Sequence, residues 1–200
     1  MLVLLLFPQL KRLLLASVFG LATTLSGLAA AQPVAPTAAS KSLRAPDVAF
    51  EPSGMNVVRT MLRLAKVEKN DVVYDLGCGD GRIPIAAARE FGARGVCVDI
   101  DPKRTAAAIA NAFKAGVGDR VEVRNEDLFD TEIVGASVVV LFLWPAVNMK
   151  LRPRLLRELV PGTRVVSHFH DMQDWTPHEV VRVRSNNYER NLYLWVIPPR

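Results

Sequence analysis

The stretch Asp75-Leu76-Gly77-Cys78-Gly79-Asp80-Gly81-Arg82 concentrates more chemistry than any other in this sequence. A β-branched and aromatic run, Val72-Val73-Tyr74, leads into the acid, and an Ala- and Ile-rich run follows. That pattern predicts a buried strand, a tight turn and a helix. Glycines at 77, 79 and 81 let the backbone turn sharply and approach a ligand, and the helix start adds unpaired N–H groups. Pyrophosphate-binding turns space their glycines G-x-G-x-x-G. Here the spacing is G-x-G-x-G with an acid before it, which suits a ligand carrying a cationic amino acid end.

S-adenosylmethionine (SAM), with a sulfonium and an α-amino group, is such a ligand. Ligands of open α/β sheets bind outside the carboxyl ends of the strands, so partners for it are expected at the other strand ends. The second predicted strand ends Val98-Asp99-Ile100-Asp101. Asp99 follows Asp75 at about the twenty-residue offset at which an acid grips ribose hydroxyls in dinucleotide folds. Asp101 before Pro102 reads as a helix cap. The third ends in Asn125-Glu126-Asp127-Leu128, where Asp127 can accept from the adenine amine while Ile100 and Leu128 sandwich the ring. The fourth ends Phe142-Leu143-Trp144-Pro145, an apolar wall in which Trp144 is a candidate for the transfer pocket. The fifth ends Ser167-His168-Phe169-His170-Asp171, which makes His168 the candidate base or hydrogen-bond partner on the substrate side. A metal held by His168 and His170 lacks further evident ligands, and His178 reads as structural. Cys78 and Cys97 are an even pair that outside the cytoplasm could form a disulfide; of the two states, reduced and buried is the expectation.

The elements that position these residues alternate. A helix is predicted from Gly54 to Lys66, and others over 83–91, 102–115 and 155–160, the last with Pro153 near its start. Strands are expected over 72–75, 94–100, 120–124, 136–143 and 163–169. A hairpin over 179–184 and 192–197, joined by 185–190, closes the chain. Alternation gives an α/β fold, a doubly wound and mostly parallel sheet, and the hairpin brings it to seven strands.

Half of the residues are hydrophobic, 22% are charged and the formal net charge is +5. Two of the positive charges, Lys11 and Arg12, precede the apolar run Leu13 to Ala31; no block of consecutive basic residues argues for nucleic acid. Arg152, Arg154 and Arg157 read as a solvated helix face. Residues 1–31 are expected to be a signal peptide, with small residues at Ala29 and Ala31, or a membrane anchor. Residues 32–47 then form a flexible linker and 48–200 the folded domain. The expected location is secreted, periplasmic or membrane-anchored, with membrane contact through 13–31.

The acid-plus-glycine motif resembles the first motif of the class I, seven-strand SAM-dependent methyltransferases. With Leu143-Trp144-Pro145, Leu151-Arg152-Pro153 and Asp174-Trp175-Thr176-Pro177, residues 50–197 are similar to the ATP synthase c-subunit lysine N-methyltransferase family. The resemblance implies SAM as cofactor, held by Asp75, Gly77, Gly79, Asp80, Gly81, Asp99, Ile100, Asp127 and Leu128, and a protein lysine as acceptor. The Asn/Asp-Pro-Pro-aromatic motif of many amino-group methyltransferases is absent after the fourth strand. A small-molecule O- or N-methyltransferase and a non-catalytic exported module with the same fold are the rival expectations.

Overall fold

The computed structural model describes residues 43–185 and 188–200. The expected leader and most of the linker lie outside them. Among the described residues no helix is long and apolar enough to cross a membrane. The described residues form eleven elements in the order α1 (Met55–Leu64), β1 (Val72–Leu76), α2 (Arg82–Phe91), β2 (Arg94–Asp99), α3 (Pro102–Lys114), β3 (Val121–Asn125), β4 (Val138–Leu141), α4 (Pro145–Glu158), β5 (Arg164–His168), β6 (Glu179–Ser185) and β7 (Tyr188–Val196).

The strands form one sheet in the order β3-β2-β1-β4-β5-β7-β6. The first five are parallel; β7 runs antiparallel to β5 and to β6. This is the seven-stranded class I arrangement. Apolar runs such as Val138–Leu141 are buried on both faces because helices cover both. Val73, Val138, Val140 and Val166 face the layer of α1 and α2, while Tyr74, Val139, Leu141 and Val165 face α4.

Local signals set the boundaries. α2 ends at Gly92, whose φ of 72° supplies the left-handed cap. α3 starts where Asp101 accepts from the Lys103 amide at 2.8 Å, with Pro102 in the first turn. The fourth helix departs from expectation. It begins at Pro145 and carries Pro153 in its interior. Val147, Leu151 and Leu155, spaced four apart, bury its inner face, and this packing outweighs the break. The long β7 starts at Tyr188, so the hairpin connection is shorter than predicted.

The three arginines of α4 also divide. Arg157 is solvated, as expected. Arg152 instead reaches Asp174 and the Met172 carbonyl. Arg154 reaches Glu158 and the carbonyls of Leu128 and Thr131, which ties α4 to the loop after β3.

Candidate active site

At the carboxyl edge of the parallel strands lies an open cleft enclosing about 920 Å³ of empty space, the solvent at its mouth included. Of the predicted site residues, Asp75, Gly77, Asp80, Asp99, Ile100, Asp127 and Leu128 line it together. Gly79 and Gly81 shape the turn from behind the wall. A Cβ on Gly79 would stand 2.1 Å from the Phe50 ring, and one on Gly81 would stand 2.9 Å from Ala108 Cβ. Both have positive φ, 57° and 78°, as does Gly77 at 88°. The turn is possible only because these positions lack side chains.

The acids differ in what holds them. Asp75 is 2% exposed and its Oδ2 has no hydrogen-bond partner among the described residues. Burial, then the nearby charges of Asp99 and Asp80, push its pKa well above the usual carboxylate value. A cation at the cleft floor would relieve that cost. Asp99 accepts from the amides of Gly79 (2.8 Å) and Asp101 (2.9 Å), so it braces the glycine turn from the end of β2. Burial pushes Asp80 upward, but Arg82, bonded to both carboxylate oxygens, outweighs it and holds the group below the usual range. Burial is likewise outweighed at Asp127, where Arg44 and the Phe129 amide lower the pKa.

The stretch from Arg44 to Ser53 crosses the cleft as a strap, and sequence reasoning missed its contribution. Arg44 grips Asp127 through two nitrogens and also pairs with Asp47. Phe50 lies on the glycine turn beneath the Arg104 guanidinium, 4.0 Å from its ring centroid. The Ser53 carbonyl accepts from Arg82, and its hydroxyl bonds His168 Nδ1 at 2.9 Å. No periodicity or motif marks these residues. Their partners lie far along the chain, 83 positions away for Arg44 and 115 for Ser53.

The two predicted catalytic residues are placed differently. His168 is buried, 3% exposed, behind Phe142, with ring centroids 4.0 Å apart; Phe142 itself lines the cleft. Burial first, then the charges of Arg190 and His170, lower the His168 pKa to about 4. The ring is therefore neutral near pH 7 and a weak base. Trp144 is 64% exposed and does not line the cleft, because it takes the N-cap position of α4 and turns outward. His170, stacked edge-on against Phe169, does not join His168 in a metal site: among the described residues no group of three or more candidate ligands converges.

Cys78 and Cys97, expected to be reduced, are joined in a disulfide. The amides of Gly77 and Cys78 both bond the Val98 carbonyl, which draws the turn back onto β2. The two Cα atoms are thereby 5.2 Å apart, within bridging range.

Comparison with known proteins agrees with this geometry. Residues 75–179 match the ANTKMT methyltransferase domain. A protein-lysine N-methyltransferase of Saccharolobus islandicus is 46% identical over 153 residues, 76% of this chain and 95% of the relative. The ATP synthase c-subunit lysine N-methyltransferase of Mus musculus is 32% identical over 136 residues, 68% of this chain and 54% of the relative. Among solved structures, an RNA methyltransferase from Salinibacter ruber in complex with S-adenosyl-L-homocysteine superposes with a TM-score of 0.72 at 50% identity, covering 75% of this chain and 95% of that one. The chain belongs to the ANTKMT methyltransferase domain family and is a SAM-dependent methyltransferase.

Proposed function

We propose that the chain methylates the ε-amine of a protein lysine, and that the cleft residues divide the work. The observation that carries this reading is the buried, partnerless oxygen of Asp75 beneath the glycine turn. A cation there would stabilise its charged form, and the amino acid end of SAM brings one. Asp99 offers acceptors to the ribose hydroxyls while bracing Gly79. Ile100 and Leu128 flank the adenine, and Asp127 accepts from its amine once Arg44 lets go. Bound there, SAM supplies an electrophilic methyl group.

The remaining work concerns the acceptor. A free lysine is protonated near neutral pH, with a pKa of about 10.4. An apolar wall disfavours the charged form. Phe142, backed by neutral His168, is such a wall. With a pKa of about 4, His168 positions rather than takes the proton. Catalysis then rests on orientation of a desolvated amine. Two relatives named as lysine methyltransferases support this acceptor.

The test is transfer of labelled methyl from SAM into a cell extract, split between protease and ribonuclease digestion. Label lost to protease and recovered as methyl-lysine supports the reading. Label lost to ribonuclease, the substrate class named for the Salinibacter protein, overturns it. Label in the small-molecule fraction would favour the rival acceptor.

We propose in addition that residues 1–31 direct the chain out of the cytoplasm or anchor it, with a spacer from 32 that gives way to the domain where Arg44 opens the strap. The apolar run Leu13 to Ala31 after Lys11-Arg12 supports this. N-terminal sequencing of the mature protein tests it: Gln32 as first residue is expected for a cleaved leader, and an intact start in a soluble cytoplasmic fraction would overturn it.

A further inference from the structure

The acids of the cleft are almost all engaged. Asp47 and Asp127 are held by Arg44, Asp80 by Arg82, Asp99 by two amides and Asp101 by the helix it caps. Asp75 is buried, and its Oδ2 has no hydrogen-bond partner among the described residues. Glu51 is the remaining acid: it is exposed, lines the cleft, and makes no hydrogen bond or ion pair among the described residues.

Its place in the strap is informative. Phe50, one residue before, lies on the glycine turn. Ser53, two residues after, bonds His168 at the end of β5. Glu51 therefore stands between the cofactor side of the cleft and the wall formed by Phe142. Burial first, then the charge of Arg190, lower the His170 pKa beyond that wall; the charges of Asp171 and Glu51 oppose them, so Glu51 lies within electrostatic reach of that ring.

We propose that Glu51 is the recognition residue for the acceptor: it receives the charged ε-ammonium at the mouth of the cleft and does not take its proton. This rests on the lysine reading above. The division of labour follows from sign. A carboxylate beside an ammonium stabilises the charged form and so opposes attack. Glu51 helps only before the amine moves in against Phe142, as the ammonium gives its proton to solvent water at the open mouth of the cleft. Its contribution belongs to capture and not to chemistry, so it shows in KM and in salt dependence, as for charges at the rim of an interface.

The experiment uses the full chain, SAM and a pentalysine peptide as probe. Methyl transfer is followed kinetically, and peptide binding in the presence of S-adenosylhomocysteine by calorimetry. Glu51→Gln is expected to raise KM and the peptide Kd about fivefold, the scale of one exposed charge pair. Glu51→Lys is expected to raise both further. In both variants kcat does not fall and SAM affinity is unchanged, because the contact is made on capture and released before transfer. The wild-type peptide affinity falls with added salt, and that dependence weakens in Glu51→Gln.

Unchanged KM and Kd in both variants would overturn the assignment, as would a fall in kcat alone or a loss of SAM binding. A wild-type chain that binds SAM yet neither binds nor labels the peptide would overturn the amine-acceptor reading, and the role of Glu51 with it. Labelling of the peptide by wild type and by Glu51→Gln with equal KM overturns Glu51 alone.

Discussion

At the scale of single residues, the cleft trades stability for binding, and the trade can be measured at Asp75. Its buried Oδ2 has no hydrogen-bond partner among the described residues, and burial raises its pKa well above the usual value. In the free chain it therefore contributes stability that is full below the ordinary carboxylate pKa and lost as pH rises through the raised one. Asp75→Asn removes that cost. Its melting temperature is expected to equal or exceed that of wild type, while SAM affinity falls at least about tenfold, the loss of one buried charged contact. A variant that melted lower and bound normally would contradict both halves. His168 behaves in the opposite sense. Its pKa is lowered from 6.5 to about 4, so its contribution is present above the unfolded value and lost as pH falls between them. Unfolding free energies from urea titrations at pH 7 and pH 5 should differ more in wild type than in His168→Gln, by about 1–2 kcal/mol.

At the scale of elements, packing against the glycine turn and the first helix after it leaves no room for added carbon. A Cβ on Gly95 would stand 2.6 Å from Pro84 Cβ and 2.9 Å from the Pro84 carbonyl oxygen, so β2 and α2 would have to part. Gly95→Ala is expected to cost about 1–3 kcal/mol by chemical denaturation. Gly118→Ala, whose Cβ would come no nearer than 3.8 Å to another residue's atoms, serves as the matched control and stays within about 0.5 kcal/mol. Elements governed by such local rules were readable in advance. Gly92 and the Asp101-Pro102 pair fixed helix ends through their own backbone chemistry, and the acids at 75, 99 and 127 fell at strand ends because the β-branched runs before them were plain. What could not be read depended on distant partners. The strap is held by Asp127 and His168, which no local pattern links to Arg44 or Ser53. Pro153 looked like a helix start because the burial of Val147, Leu151 and Leu155, which carries the helix past it, is a tertiary fact. Trp144 looked like a pocket residue because sequence gives its place at a strand end but not its direction.

At the scale of the whole molecule, the two ends of the sheet do different work. Opposite the cleft, Arg164 of β5 joins Asp71, the carbonyls of Ala65 and Lys66, and through Asp71 the Ser137 hydroxyl. Burial pushes the Asp71 carboxyl up, but these partners hold it below the usual range. Arg164→Ala leaves that acid half-stranded and is expected to destabilise the fold by about 2–4 kcal/mol, with SAM affinity in the still-folded chain unchanged. Loss of binding in step with stability would mean the two ends are coupled. The Cys78–Cys97 bond adds a property of another kind. It closes the chain into a covalent ring that contains all of α2 and begins in the glycine turn. The sequence holds two cysteines, and both are spent on it. A single cut by a protease anywhere inside that ring would leave the two fragments joined, migrating as one band until a reductant is added.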